Sequence, residues 1–223
     1  MMKCRSVTSV AALGLVLAMA TTASAQDEAA KDTTPVASDA ASPGAKTHDG
    51  FYFNTSLGLG YYNMSAETVP GGPEASFSGL TASTALLFGG TVGQGVVIGG
   101  GLTIDYASSP SYSVDGNDVD VNVDYSQFLL SIGPFVDYYL DPKGGLHFFG
   151  MAGWGGVETS AEGNVGGSDP TGLVLTVGAG HDWFISDEWS AGVMGRLAYA
   201  PLSMNDVDFP TIAPAIVGTI TYH

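Results

Sequence analysis

The sequence predicts an all-β protein, a transmembrane up-and-down antiparallel β-barrel of about eight strands. Three observations predict it. From residue 50 onward, apolar residues recur at a period near two, where a helix needs about 3.6. The breaks between these runs alternate in length, as hairpins do in a meander threaded through a bilayer. Mean hydropathy is +0.21, yet beyond the N-terminal segment no apolar run approaches the ~20 residues of a membrane-spanning helix. Alternation of apolar with small polar residues reconciles these two facts, because only one face of a barrel strand touches hydrocarbon.

The chain opens with Lys3 and Arg5, an apolar run from Val10 to Ala20, and Ala23-Ser24-Ala25 before Gln26. Basic start, short apolar core and small-x-small site are the three parts of a secretory signal peptide, expected over residues 1–25. The single cysteine, Cys4, lies inside it, so the exported chain is expected to have neither disulfides nor thiolate chemistry. Without Lys3 and Arg5, four basic residues face 22 acidic ones, a net charge of −18. Such a surface repels nucleic acid and anionic ligands and attracts cations and basic partners. Residues 26–49, rich in Ala, Asp, Thr and Pro and without aromatics, read as a disordered acidic leader. Residues 50–223 read as the barrel.

The first strand starts at Phe51, with Phe53, Leu57, Leu59 and Tyr61 on one face and Asn54, Ser56, Gly58 and Gly60 on the other. The second runs from about Phe77 to Gly89 and carries Leu80, Leu86 and Phe88 on its apolar side. The third turns Val96, Ile98, Leu102, Ile104 and Tyr106 outward. The fourth, about Val123 to Tyr139, has Phe128, Leu130, Ile132, Val136 and Tyr138 on its apolar face. The fifth, Leu146 to Val157, is less regular, because Phe148 and Phe149 compete for the outer face. The sixth sets Leu173, Leu175 and Val177 against Thr176, Gly178 and Asp182. The seventh, Trp189 to Leu202, sets Val193, Leu197 and Tyr199 against Ser190, Gly192, Arg196 and Ala198. The eighth carries Ile216, Ile220 and Tyr222 opposite Thr219 and Thr221.

Short breaks fall near residues 90–95, 141–145 and 186–188, and long polar ones near 64–76, 108–122, 159–170 and 203–211. Four long and three short connections join eight strands. Short turns face the periplasm and long loops the outside, so both barrel ends and the leader are expected on the periplasmic side. Aromatics mark the two interfaces. Phe51, Tyr52, Tyr138, Tyr139, Phe148, Trp183, Trp189 and Tyr222 are expected at the inner one, and Tyr61, Tyr62, Tyr106, Tyr125 and Tyr199 at the outer one.

These features resemble the small outer-membrane barrels of the OmpA/OmpX-like, porin-like type over about Gly50 to His223. In those families the last strand usually ends in an aromatic and carries an assembly signal. Ile216-x-Gly218-x-Ile220-x-Tyr222 is similar, although His223 follows and the glycine is one place off. The resemblance implies residence in the bacterial cell outer membrane after signal removal. It also implies contact with outer-membrane lipids and lipopolysaccharide, and passage through the barrel-assembly machinery. No peptidoglycan-binding domain is expected after the barrel.

The inward set (Ser56, Gly58, Ser83, Gly99, Gly101, Ser131, Gly133, Gly178, Gly192 and Ala198) is small. It leaves either a water-filled thread or a flattened barrel. Arg196 is the only basic residue expected inside, with Asp105, Asp137 and Asp182 pointing the same way. A buried guanidinium needs a carboxylate. A lumen ion pair is therefore favoured over a polar gate. Asp118, Asp120, Asn122 and Asp124 alternate with valines and present four oxygen-bearing side chains on one face. This is an acidic loop with at most a weak Ca²⁺ site. An EF-hand is excluded, since Val123 stands where its glycine belongs and Leu129 where its glutamate belongs. His48, His147, His181 and His223 all fall toward the periplasmic side, so no histidine accompanies the serines of the outer loops. That disfavours a lipid A-modifying enzyme, which needs a base beside its nucleophile. Gly99-Gly100-Gly101 leads into no helix and is not a phosphate loop. No cofactor pattern is present. The reading is a non-enzymatic barrel with a structural or surface-interaction role, the alternative being a narrow passive channel.

Overall fold

In the computed structural model, residues 46–67, 72–119, 125–161 and 169–223 are described. The signal segment, Cys4, residues 26–45 of the leader, and Asp120, Asn122 and Asp124 of the acidic stretch lie outside them. Ten strands form one sheet: β1 (Phe51–Glu67), β2 (Glu74–Gly93), β3 (Val96–Ser108), β4 (Ser111–Val114), β5 (Asn117–Asp118), β6 (Tyr125–Tyr139), β7 (Leu146–Ala161), β8 (Thr171–Phe184), β9 (Trp189–Met204) and β10 (Val207–Tyr222). Every pairing is antiparallel. The order β1-β10-β9-β8-β7-β6-β3-β2 closes through a β1–β2 pairing into an eight-stranded barrel. β4 and β5 form a small hairpin on the extension of β2 beyond the barrel. Closure leaves the barrel wall without an edge, so its backbone groups find partners within the sheet.

The alternation seen in the sequence is the alternation of the wall. Leu57, Leu59, Leu80, Ile132 and Ile216 all point outward and stay at least 65% exposed. In a water-soluble protein so continuous an apolar belt has no explanation; around a barrel it is the lipid-facing band. Among the described residues no helix is long and apolar enough to cross a membrane; the strands do the crossing.

The connections Gln94–Gly95, 140–145 and 185–188 are short and lie at the same end of the barrel as Phe51 and Tyr222. This is called the turn end here, and the opposite side the loop end. The expected long loop over 203–211 is absent. β9 and β10 stay paired to Met204↔Val207, and only Asn205 and Asp206 turn the chain. Both have positive φ, 51° and 64°, the signature of a type I′ hairpin turn. Pro201, Pro210 and Pro214 sit within these strands, with Pro201 opposite Pro210, although the expected loop includes Pro210.

Two further expectations change. In each adjacent aromatic pair only one ring can face lipid, because neighbours point to opposite faces. Phe51, Tyr61 and Tyr138 face out, while Tyr52, Tyr62 and Tyr139 are buried in the lumen rather than in the aromatic belts. The same rule settles β7, where Phe148 faces out and Phe149 in. Folded structure also begins before residue 50, where the sequence reading begins the barrel. His48 is buried, and its backbone N–H donates to the carbonyl of Pro142 at 2.8 Å, so the last residues before β1 belong to the folded barrel.

Several of the small inward residues face large side chains from other strands. They are sockets. A Cβ on Gly101 would meet the Leu87 side chain, one on Gly99 the Phe135 ring and the backbone of Phe88, and one on Gly178 the Met194 side chain. Two apolar layers result. Toward the turn end, Leu87, Val97, Phe135, Phe149, Met151, Met194 and Val217 pack together. Toward the loop end, Tyr62, Met64, Leu129, Val157, Val174 and Leu202 do so.

Candidate functional site: the charged interior of the barrel

Arg196 sits on β9 between Met194 of one apolar layer and Ala198 of the other. It is 4% exposed. Its Nη2 donates to Asp105 Oδ1 at 2.7 Å, and its Nη1 donates to the carbonyl of Thr84 at 3.4 Å. The Ser83 hydroxyl adds a second donor to the same Asp105 oxygen at 2.6 Å. β3 and β9 stand on opposite sides of the strand ring, so the pair is a crossbar through the barrel axis. Alternation puts both groups inside; the register of the closed sheet puts them at the same level.

Asp137 and Asp182 point inward as expected but do not meet Arg196. They build a second cluster near the turn end. Asp137 accepts from His147 Nδ1 at 2.8 Å and from the Tyr52 hydroxyl at 2.9 Å. Asp182 accepts from the Tyr139 hydroxyl at 3.0 Å, from Thr219 at 2.9 Å and from Thr221 at 3.4 Å. His147 Nε2 lies 3.9 Å from Asp182 Oδ1. Glycines shape this cluster too. A Cβ on Gly180 would collide with the His147 ring, and one on Gly192 with Asp182.

A third group caps the cluster. The ring of His48 stacks on Tyr139, centroids 3.6 Å apart, and Tyr139 stacks in turn on His147 at 4.9 Å. His48 Nε2 lies 2.8 Å from the Gly144 carbonyl and so donates to it. That leaves Nδ1 to accept from the ring of His223, 3.0 Å away, whose Nε2 also approaches the Ser190 hydroxyl at 3.0 Å. The geometry fits two neutral imidazoles. Burial pulls His48 down to about 4, with nearby His147 adding to the fall and the Gly144 carbonyl, Asp182 and Asp137 opposing it. Burial also pulls His223 down to about 3, aided by His48 and His147.

Ser190, His223 and His48 line up as a nucleophile, a base and its orienting group would. The chemistry does not follow. Ser190 is fully buried, and a histidine held near 3 is a poor base at neutral pH. Among the described residues no group of three or more His, Cys, Asp or Glu has the arrangement of a metal site. His181 stands apart on the outer face of β8, against Trp183. Asp118, the described member of the acidic stretch, is exposed on β5.

Sequence reading placed the histidines at the correct end but missed their assembly with Asp137, Asp182, Tyr52 and Tyr139. One signal was available. The 140–145 turn sets His147 opposite Tyr139 and two positions past Asp137 on the facing strand. The partners from residues 48 and 223 depend on barrel closure and leave no local trace.

No protein-family model matches the chain, and no curated protein matches it. Among solved structures it is similar to Neisserial surface protein A, with TM-score 0.50 and 17% identity over 78% of this chain and 96% of that one. It is also similar to the outer membrane protein OprG from Pseudomonas aeruginosa, with TM-score 0.51 and 12% identity over 80% and 99% of the two chains. At these identities the likeness is one of fold. Belt, closure and likeness agree: the chain has the fold of the small, eight-stranded outer-membrane β-barrels.

Proposed function

We propose that the protein is a closed, non-enzymatic barrel of the bacterial outer membrane that acts as a structural or surface-interaction element. On this reading the signal peptide is removed, the turn end faces the periplasm and the loop end faces outside. One observation supports it: two apolar layers pack in the lumen with the Arg196–Asp105 crossbar between them. Eight strands enclose just enough room for side chains, and here large side chains take it. Among the described residues nothing in the interior pairs an accessible nucleophile with a competent base. What differs from the bulk phase is the loop end, where Glu67, Glu74, Asp206 and Asp208 line a cavity of about 420 Å³. Acidic loops of this kind favour cationic partners, among them divalent ions held against lipopolysaccharide phosphates.

The test is conductance in planar lipid bilayers. The wild-type barrel is expected to give no stepwise current, and Arg196→Ala is expected to stay silent as well, because the apolar layers on either side remain. Discrete steps from the wild type would establish the passive-channel reading instead; steps from Arg196→Ala alone would make the crossbar a gate. A change in the lipid A mass spectrum on expression would replace both with an enzyme.

A further inference from the structure

Residues 46–50 cross the turn end of the barrel as a strap. The Lys46 backbone N–H donates to Asp187 O at 2.9 Å, and that of His48 to Pro142 O at 2.8 Å. Thr91 N–H donates to Gly50 O at 2.9 Å, and its hydroxyl to His48 O at 3.3 Å. One short segment thereby engages the end of β2 and the tight connections after β6 and β8. It is pinned by a single side chain, His48, which inserts between Tyr139, Phe184 and His223 with centroid distances of 3.6, 4.8 and 4.2 Å.

The pin has no counter-ion. Among the described residues neither His48 nor His223 has a carboxylate oxygen within 4 Å of a ring nitrogen. The titratable and charged groups that face them are Tyr52 on β1, Asp137 and Tyr139 on β6, His147 on β7 and Asp182 on β8. Both carboxylates are already committed, Asp137 to His147 and Tyr52, Asp182 to Tyr139, Thr219 and Thr221. A proton added to His48 would abolish the acceptor that holds His223 and place a charge beside a second histidine.

We propose that the strap is an acid-released latch: protonation of the His48–His223 pair expels residues 46–50 from the mouth, uncovers the polar floor of Tyr139, His147 and Asp182, and frees the chain that precedes the barrel. The docked histidines hold their protons only near pH 4 and 3, whereas released ones titrate near ~6.5. The released form therefore binds protons that the docked form cannot. Docking is at full strength above about 6.5 and weakens as the pH falls toward 4. The outer-membrane location proposed above exposes this end to the periplasm, whose pH follows the medium.

A spin label on Asp49→Cys, in a chain carrying Cys4→Ser and refolded in detergent micelles, reads the strap directly. The label is expected to be immobile at pH 7 and mobile at pH 3, reversibly, with the barrel's circular dichroism unchanged. His48→Phe keeps the ring stack without the proton site, and its label is expected to stay immobile at pH 3. A wild-type label still immobile at pH 3 overturns the proposal. So does release that coincides with loss of β-structure, or His48→Phe releasing at the wild-type pH. If the Phe variant fails to dock at pH 7, His223→Gln decides. It keeps a donor for His48 but removes the second charge, so its release should move at least half a pH unit lower; an unchanged midpoint overturns the latch.

Discussion

The two halves of the lumen are packed in different ways. Toward the loop end the seal is apolar: Tyr62, Met64, Leu129, Val157, Val174 and Leu202 pack without a charged group among them. Toward the turn end an apolar layer is overlaid by Asp137, Asp182, His147, Tyr52, Tyr139 and the His48–His223 cap, joined by hydrogen bonds. The first seal depends on shape and responds to cavities. The second depends on protonation and on partners that must all be present. One wall of alternating residues can thus hold an inert plug and a titratable one, because each inward position is chosen independently of the lipid-facing position beside it.

The largest test of this contrast lies at its boundary. Arg196→Ala leaves Asp105 buried without its counter-ion and should lower stability by about 3–5 kcal/mol, read by urea unfolding in micelles with heat-modifiable gel mobility as the assay. A loss under about 1 kcal/mol would mean that water reaches the crossbar. Next comes the apolar seal. Leu129→Ala opens a void where Leu129 is 2% exposed and should cost about 2–5 kcal/mol, equally at pH 7 and pH 4. A pH-dependent cost would show that the two seals are coupled. The smallest effect is expected in the polar layer. Tyr139→Phe keeps the stack on His48 and His147 but takes one donor from Asp182, which retains Thr219 and Thr221. It should cost about 1–2 kcal/mol; no cost would place the weight of that layer in its rings.

Most of the wall was legible in the sequence, since a two-residue period states which face each side chain takes. Val193, Leu197 and Tyr199 face out and Arg196 faces in, as the pattern requires. Legibility failed where two signals competed. At 51–52, 61–62 and 138–139 adjacent aromatics read as interface residues together, although geometry allows only one of each pair. At 203–211 a polar stretch containing Pro210 read as loop and hid a hairpin whose turn is Asn205-Asp206 alone. The interior was the least legible part. Glycine looked like empty space because the residues filling it, such as Leu87 for Gly101 and Met194 for Gly178, come from other strands. Likewise Arg196 had three carboxylates on its side of the pattern, and only the register of a closed barrel decides that Asp105 reaches it.

The strap also carries information about order in time. Its partners come from Thr91 near the end of β2, the turns at 142–144 and 187, and His223 beyond β10, a separation of 175 residues from His48. Contacts that distant close late, because the intervening chain must be placed first. Residues 46–50 emerge before any barrel strand, yet the pairing of His48 with His223 waits until β10 has joined β1. The first described segment of the chain thus carries one contact, His48 with His223, that forms only when the ring is complete.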